Sequence, residues 1–430
     1  MIARAGLIVA VCSLIAFVGC GAPPPATPAA PTGAESGSPG ISYEFNAVTS
    51  DPLGLFLQYR FSWGDGQTSA WGPLLPSGTA FAAPHSWQSN GTYEVRAQAR
   101  NMSGRESEFS LAHPVTIGQQ SGYPDSVIAR IPVGYSPFGM CMLPNSQYLY
   151  VANRIGGISV ISTATKTVVH TVATPSGEPC FMAPTPDGQH VYFAVGSNQV
   201  GVLRTSDNVV TAMITVQDGP RGIAVDPSGS FAYAANYYSH TVSVIRTSDN
   251  TVVANVPIPG SPWCVEVTPD GEYVYASGRD TDIMSVIRTS DNTVAASIVV
   301  GREPGDIAFS PGGEYAYTSC RLDNYVAVIR TSDMAVVAHI PGCDHPTGIS
   351  LLPGGAYIYL SNYYGDYVLV ARASDNTIVD TLQFGTVTDF SAVDAGRNEV
   401  YIGCPDEDEI WVVGRGAKHY GNDLAARSSY

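Results

Sequence analysis

The sequence predicts an all-β protein: a seven-bladed β-propeller preceded by an immunoglobulin-like β-sandwich. Three observations predict it. Arg-Thr-Ser-Asp-Asn begins at Arg204, Arg246 and Arg288, and near copies begin at Arg330 and Arg372, always 42 residues apart. A period of this size signals a repeat architecture. Each period holds four short alternating apolar runs separated by turn residues, as in Val209–Val216, Gly222–Val225, Phe231–Ala235 and Thr241–Ile245, which is the content of one propeller blade. The composition agrees, because 44 Gly, 31 Pro and 24 Tyr among 430 residues favour strands and turns.

The chain opens with an address. Met1–Arg4 is a short basic start, and the apolar run Leu7–Val18 is too short to span a bilayer but suits a signal-peptide core. Phe17-Val-Gly-Cys20 resembles the lipobox of bacterial lipoproteins, with Phe17 departing from the usual Leu. The resemblance implies a signal peptide over 1–19, cleavage before Cys20 and acylation of its thiol. The protein would then be exported and lipid-anchored to the cell envelope, periplasmic or on the cell surface. Residues 20–40 are rich in Pro, Ala, Gly, Ser and Thr and read as an extended tether.

Residues 41–117 lack the 42-residue period. Phe56–Trp63 and Tyr93–Ala99 alternate as strands, and Gly64-Asp-Gly66 and Asn90-Gly91 are turn signals between them. The pattern reads as a β-sandwich. "FSWGDGQ" resembles the W-x-x-G-D-G-like turn of PKD-type domains. "HSWQSNGTYEVRAQARN" resembles their H-x-Y-x-x-x-G-x-Y-x-V segment, with Trp87 in place of the usual Tyr. Such modules are mostly spacers or adhesive domains.

After a linker at 118–124, residues 125–418 divide into seven lengths of 42, and 419–430 form a tail. "PSGSFAYAANYYSHTVSVIRTSDNTVVANVPI" is similar to the YVTN repeat of YncE-like and surface-layer-type seven-bladed propellers. The resemblance is specific for fold and poorly specific for function. Val127–Val133 has no earlier strand to join, and the last unit is one strand short. That pairing is expected to close the ring and remove its exposed edges.

The repeated phrase reads as a hairpin turn, since Ser, Asp and Asn bond nearby backbone and Asn tolerates positive φ. Function is instead expected in loops that break the repetition. These gather Arg154, Arg221, Tyr237, Trp263, Arg279, Asp306, Arg321 and Tyr363 at the propeller mouth, and Arg and Tyr are residues that dominate binding interfaces. Glu178, Tyr238, His240, Asp280, Glu303, Asp323, His345, Tyr364 and Asp406 fall in the same loops.

Five cysteines, Cys180, Cys264, Cys320, Cys343 and Cys404, are also placed there, and Cys320 with Cys343 is the best-placed disulfide pair. A net charge of −16 and only two lysines, Lys166 and Lys418, argue against nucleic acid as partner. No zinc or haem motif is present, so no cofactor or metal is expected. The reading is a surface-anchored, non-catalytic binding lipoprotein whose mouth recognises a protein, glycan or cell-envelope partner. The alternatives are a lactonase-like metal-dependent hydrolase using Asp280, Asp306 and Asp323, or a purely architectural surface-layer component.

Overall fold

The computed structural model describes residues 22–34, 36–37, 42–89, 91–117, 123–175 and 177–415. Cys20, the signal segment and the tail lie outside them. The chain divides into two units, Met1–Ser121 and Gly122–Tyr430. No described helix is long and apolar enough to cross a membrane.

In the first unit a four-stranded sheet runs in the order Ser36–Gly37, His113–Ile117, Gly91–Asn101, Leu57–Ser62, and Tyr43–Ala47 pairs with Phe81–His85. Alternation along Leu57–Ser62 buries Leu57, Tyr59 and Phe61. They meet Phe45, Trp63, Trp87 and Val95 from the other strands in one core. The indole Nε1 of Trp87 donates to the Trp63 carbonyl at 3.0 Å, so a side chain this large is buried without stranding its polar atom.

Part of the expected tether is docked here. Pro25, Pro28 and Pro31 are buried, Thr32 bridges Asn46, and the Asn101 amide donates to the Pro23 carbonyl at 3.1 Å. The three prolines recur every third residue and are the buried positions of the segment, which gives it an apolar side despite its loop-like composition.

The second unit contains seven four-stranded antiparallel sheets among the described residues. The first comprises Tyr135–Met142, Tyr148–Ile155, Gly157–Ser162 and Thr167–Val172. The next five repeat this layout, with inner strands Pro179–Pro184, Pro220–Val225, Pro262–Val267, Pro304–Phe309 and Pro346–Leu351. The seventh begins with Ser391–Asp394 and ends with Ser126–Pro132, which pairs with Glu409–Gly414. The inner strands neighbour one another in sequence order and the last neighbours the first, so they form a closed ring. The fit is tight. A Cβ on Gly222 would lie 2.7 Å from Cys264 Cα, and one on Gly348 2.8 Å from Phe390 Cα.

The repeated phrase resolves letter by letter. Its Arg and Asp clasp each other at 2.6–3.1 Å in all five copies, from Arg204–Asp207 to Arg372–Asp375. These exposed pairs contribute little stability. In four copies the Thr hydroxyl donates to a glycine carbonyl in the preceding turn, as Thr247 does to Gly229 at 2.6 Å. The fifth residue adopts positive φ in every copy, including Met334. In two copies the Asn also accepts a hydroxyl from the preceding sheet: Tyr150 to Asn208 at 2.7 Å and Tyr192 to Asn250 at 2.9 Å. Replacing Asn250 by Ala should therefore cost about 1–2 kcal/mol in urea unfolding, from lost left-handed tolerance and the orphaned Tyr192 hydroxyl. Asn250→Gly should recover the backbone part only.

Candidate functional site

The inner strands and the loops after each second strand stack residues in tiers around the ring axis. The register can be followed in steps of 42. Tyr237, Arg279, Arg321 and Tyr363 are equivalent, and each follows directly on a second strand of its sheet. Phe138, Cys180, Arg221, Trp263, Gly305, Thr347 and Asp389 are likewise equivalent, with a single step of 41 before Arg221. The next position inward carries Gly139, Phe181, Gly222, Cys264, Asp306, Gly348 and Phe390.

An aromatic plug fills the centre. Phe181 meets Phe390 with ring centroids 4.5 Å apart, Phe138 meets Phe390 at 5.0 Å and Phe181 at 5.3 Å, and Trp263 stands 6.2 Å from Phe138. All are edge-on pairs, the favoured alternative to a face-to-face stack. Four arginines surround the plug. Arg279 stacks over Trp263 at 3.9 Å, Arg221 lies 5.6 Å from the same ring, Arg154 lies 5.2 Å from Phe138, and Arg321 lies 5.7 Å from Tyr363. Glu303 ties two of them: Arg279 Nε donates to its Oε1 at 2.7 Å and Arg321 Nη1 to the same oxygen at 3.4 Å. Tyr237 sits edge-on to Trp263 at 6.0 Å.

Of the sequence-predicted mouth residues, Arg154, Arg221, Tyr237, Trp263, Arg279, Arg321 and Tyr363 therefore belong to one chain of ring and charge contacts. Asp306 does not join them at the rim. It lies a tier deeper, where its Oδ2 accepts from the Ile349 N–H at 2.9 Å and its Oδ1 from the Cys264 thiol at 3.6 Å. Phe138, Phe181, Phe390 and Asp389 were missed, although the 42-residue register connects each to a residue already singled out.

Three acids line the axis. Burial pushes Asp389 up to about 7, against a hydrogen bond from Thr347 and the charges of Arg321 and Arg154. Its Oδ1 has no hydrogen-bond partner. Burial lifts Asp306 to about 6, against hydrogen bonds from the Ile349 and Ile307 backbone and Cys264. Burial lifts Glu266 to about 8, and Asp306 adds to the rise. Glu266 borders a cavity of about 440 Å³ shared with Val225, Pro269, Phe309, Ile349 and Val393.

Two expectations are corrected. Cys320 and Cys343 carry free thiols, as do the other described cysteines. The Cys320 Sγ is turned to the Val300 carbonyl at 3.6 Å, and the two residues belong to different core clusters. Asp280, Asp306 and Asp323 do not converge. Asp280 accepts from the Ser261 hydroxyl at 2.8 Å, Asp323 pairs with Arg302 at 2.6 Å, and Asp306 lies on the channel wall. Among the described residues no group of three or more His, Cys, Asp or Glu is placed to hold a metal ion.

No family model matches the sequence, and no curated protein is similar to it in sequence. Solved structures are similar in fold. One is Kuenenia stuttgartiensis hydrazine synthase, 21% identical over 70% of this chain and 99% of that chain, with a TM-score of 0.60. Another is the β-propeller domain of Myceliophteria thermophila Cps50 (Swd1), 11% identical over 68% of this chain and 100% of that chain, with a TM-score of 0.62. With the repeated four-stranded sheets, these similarities show that the fold includes a β-propeller.

Proposed function

We propose that this chain is a non-catalytic binding lipoprotein of the cell envelope, anchored through Cys20. A PKD-like sandwich acts as spacer, and a seven-bladed propeller of the YVTN type presents its mouth to a protein, glycan or other envelope partner. One observation carries the reading: four arginines, a tryptophan and two tyrosines crowd a single funnel on a chain of net charge −16. Guanidinium and aromatic groups gathered in a partly buried cluster are the usual anchors of recognition. They are held by the ring itself, because each sits at or beside the end of a paired strand, so little ordering is needed on binding.

The test is retention of isolated envelope material by the immobilised full-length protein. Replacing Arg279, Arg321 and Trp263 together by Ala should reduce retention at least about tenfold, since each such anchor typically contributes more than 1 kcal/mol. Unchanged retention by a variant that still shows the native circular dichroism spectrum would place binding elsewhere.

A further inference from the structure

Two of the funnel arginines, Arg221 and Arg321, are not fully satisfied by the groups around them. Arg221 donates only a long contact from Nη1 to the Cys180 sulfur at 3.6 Å, and its buried Nε has no hydrogen-bond partner. Arg321 reaches Glu303 through Nη1 at 3.4 Å, and its Nε is also buried without a partner. More than nine-tenths of buried polar groups in folded proteins are paired. Two unpaired guanidinium nitrogens around one opening are therefore a departure with a location.

Charge points the same way. Arg154, Arg221, Arg279 and Arg321 bring four positive charges to the plug, against the carboxylates of Glu303, which pairs with two of them, and Glu178, which lies near Cys180 with Arg221 and Arg154. Below them Asp389, raised to about 7 by burial, is about half ionised at neutral pH, and Asp306, raised to about 6, carries most of a charge there. A partly desolvated surplus of positive charge concentrates anions even on an acidic protein. Guanidinium forks match the planar oxygen pairs of carboxylates and the oxygens of phosphates.

We propose that this crown binds an oxyanion group, phosphate or carboxylate, carried by the ligand of the mouth, with Arg221 and Arg321 as its principal donors and Glu303 as its internal competitor. The inference rests on the reading of the mouth as a binding site and assigns the chemistry of what it binds. Glu303 already bridges Arg279 and Arg321 as a carboxylate would, so it occupies part of the place the ligand needs.

The experiment is calorimetric titration of the full-length protein, in an uncharged detergent, with inorganic phosphate, with trigalacturonate and with neutral galactotriose. At least one charged probe should saturate and the neutral one should not. The two charged arms decide between phosphate and carboxylate. Arg221→Gln should weaken the charged probe about tenfold and Glu303→Gln should strengthen it about threefold or more. The two changes have opposite signs, so a folding defect cannot imitate both. Charged probes that bind no better than the neutral one would overturn the inference, as would an affinity that stays within about twofold in both variants. Envelope material retained through the mouth without anion binding would remove this inference alone. Arginine-dependent anion binding without envelope retention would remove the partner reading alone.

Discussion

Deleting residues 125–134 is expected to abolish cooperative unfolding of the second unit, not merely to trim one sheet. Ser126–Pro132 is the only described strand from before Tyr135 in the ring, and it supplies the outer edge of the last sheet. Its register sets Ile131 against Ile410, Arg130 against Trp411 and Ala129 against Val412. Ile131 is buried in a core with Leu149, Val151, Ile161, Tyr401, Ile410 and Val412. That core includes side chains of the first sheet as well as the last, so the strand cements the seam where the ring closes. Arg130 adds a cation–π contact, 3.8 Å from the Trp411 ring.

Without the strand, Glu409–Gly414 becomes an unpaired edge and the seam loses its packing. Domain stability is only about 5–15 kcal/mol, and the loss of a paired strand with its core side chain is of that order. The milder Ile131→Ala should lower stability by about 2–4 kcal/mol, the usual cost of emptying such a site. Urea unfolding followed by circular dichroism measures both. Hydrogen exchange separates a local effect from a global one. If the ring acts as a unit, the amides of residues 221–225, far from the seam in chain order, should exchange faster in Ile131→Ala. Protection unchanged there would show that the seam opens alone.

Much of the propeller was legible because its information is periodic. Strand alternation, turn chemistry and the 42-residue register are local properties, and closure follows from a missing strand at one end and a spare one at the other. The site was less legible because its contacts run across the axis. Arg221 and Arg279 share Trp263, and Phe138 meets Phe390, because inner strands of different sheets converge. The period does not state the radius at which they do so. Asp306 was expected at the rim because it stands close to the preceding loop. A shift of one tier along a tapering channel turns an exposed carboxylate into a wall group bonded to Ile349. The cysteines misled for a related reason: proximity in the repeat unit does not orient a sulfur, and the Cys320 thiol faces the Val300 carbonyl in the loop that leads into its own sheet. Pro25, Pro28 and Pro31 carried a readable three-residue spacing that composition alone concealed.

Glu266→Gln is expected to stabilise the protein at pH 8 and to do so much less at pH 5. The carboxyl occupies the column of Cys141, Ala183, Ala224, Ala308, Ser350 and Ala392 in the 42-residue register, so it is the lone acid at its level. Burial and Asp306 raise it from 4.5 to about 8. The sign follows from proton binding. In the unfolded chain the group loses its proton near 4.5, whereas the folded protein keeps it until about 8. Between those values the folded state binds one proton more than the unfolded state, so stability falls as pH rises, by up to about 1.4 kcal/mol per pH unit. The contribution is fully present below the unfolded value and is lost by the time pH passes the folded one. Gln has no proton to lose, so the variant lacks this slope. Allowing for relaxation and water in the adjoining cavity, the advantage of Glu266→Gln should grow by about 1–3 kcal/mol from pH 5 to pH 8. Asp306, lifted to about 6, titrates within the same window and is coupled to Glu266. The double variant with Asp306→Asn should therefore gain less than the sum of the single changes. Urea midpoints at pH 5, 6.5 and 8 decide the matter. An advantage that does not vary with pH would mean that Glu266 titrates normally and that the channel around it is wet.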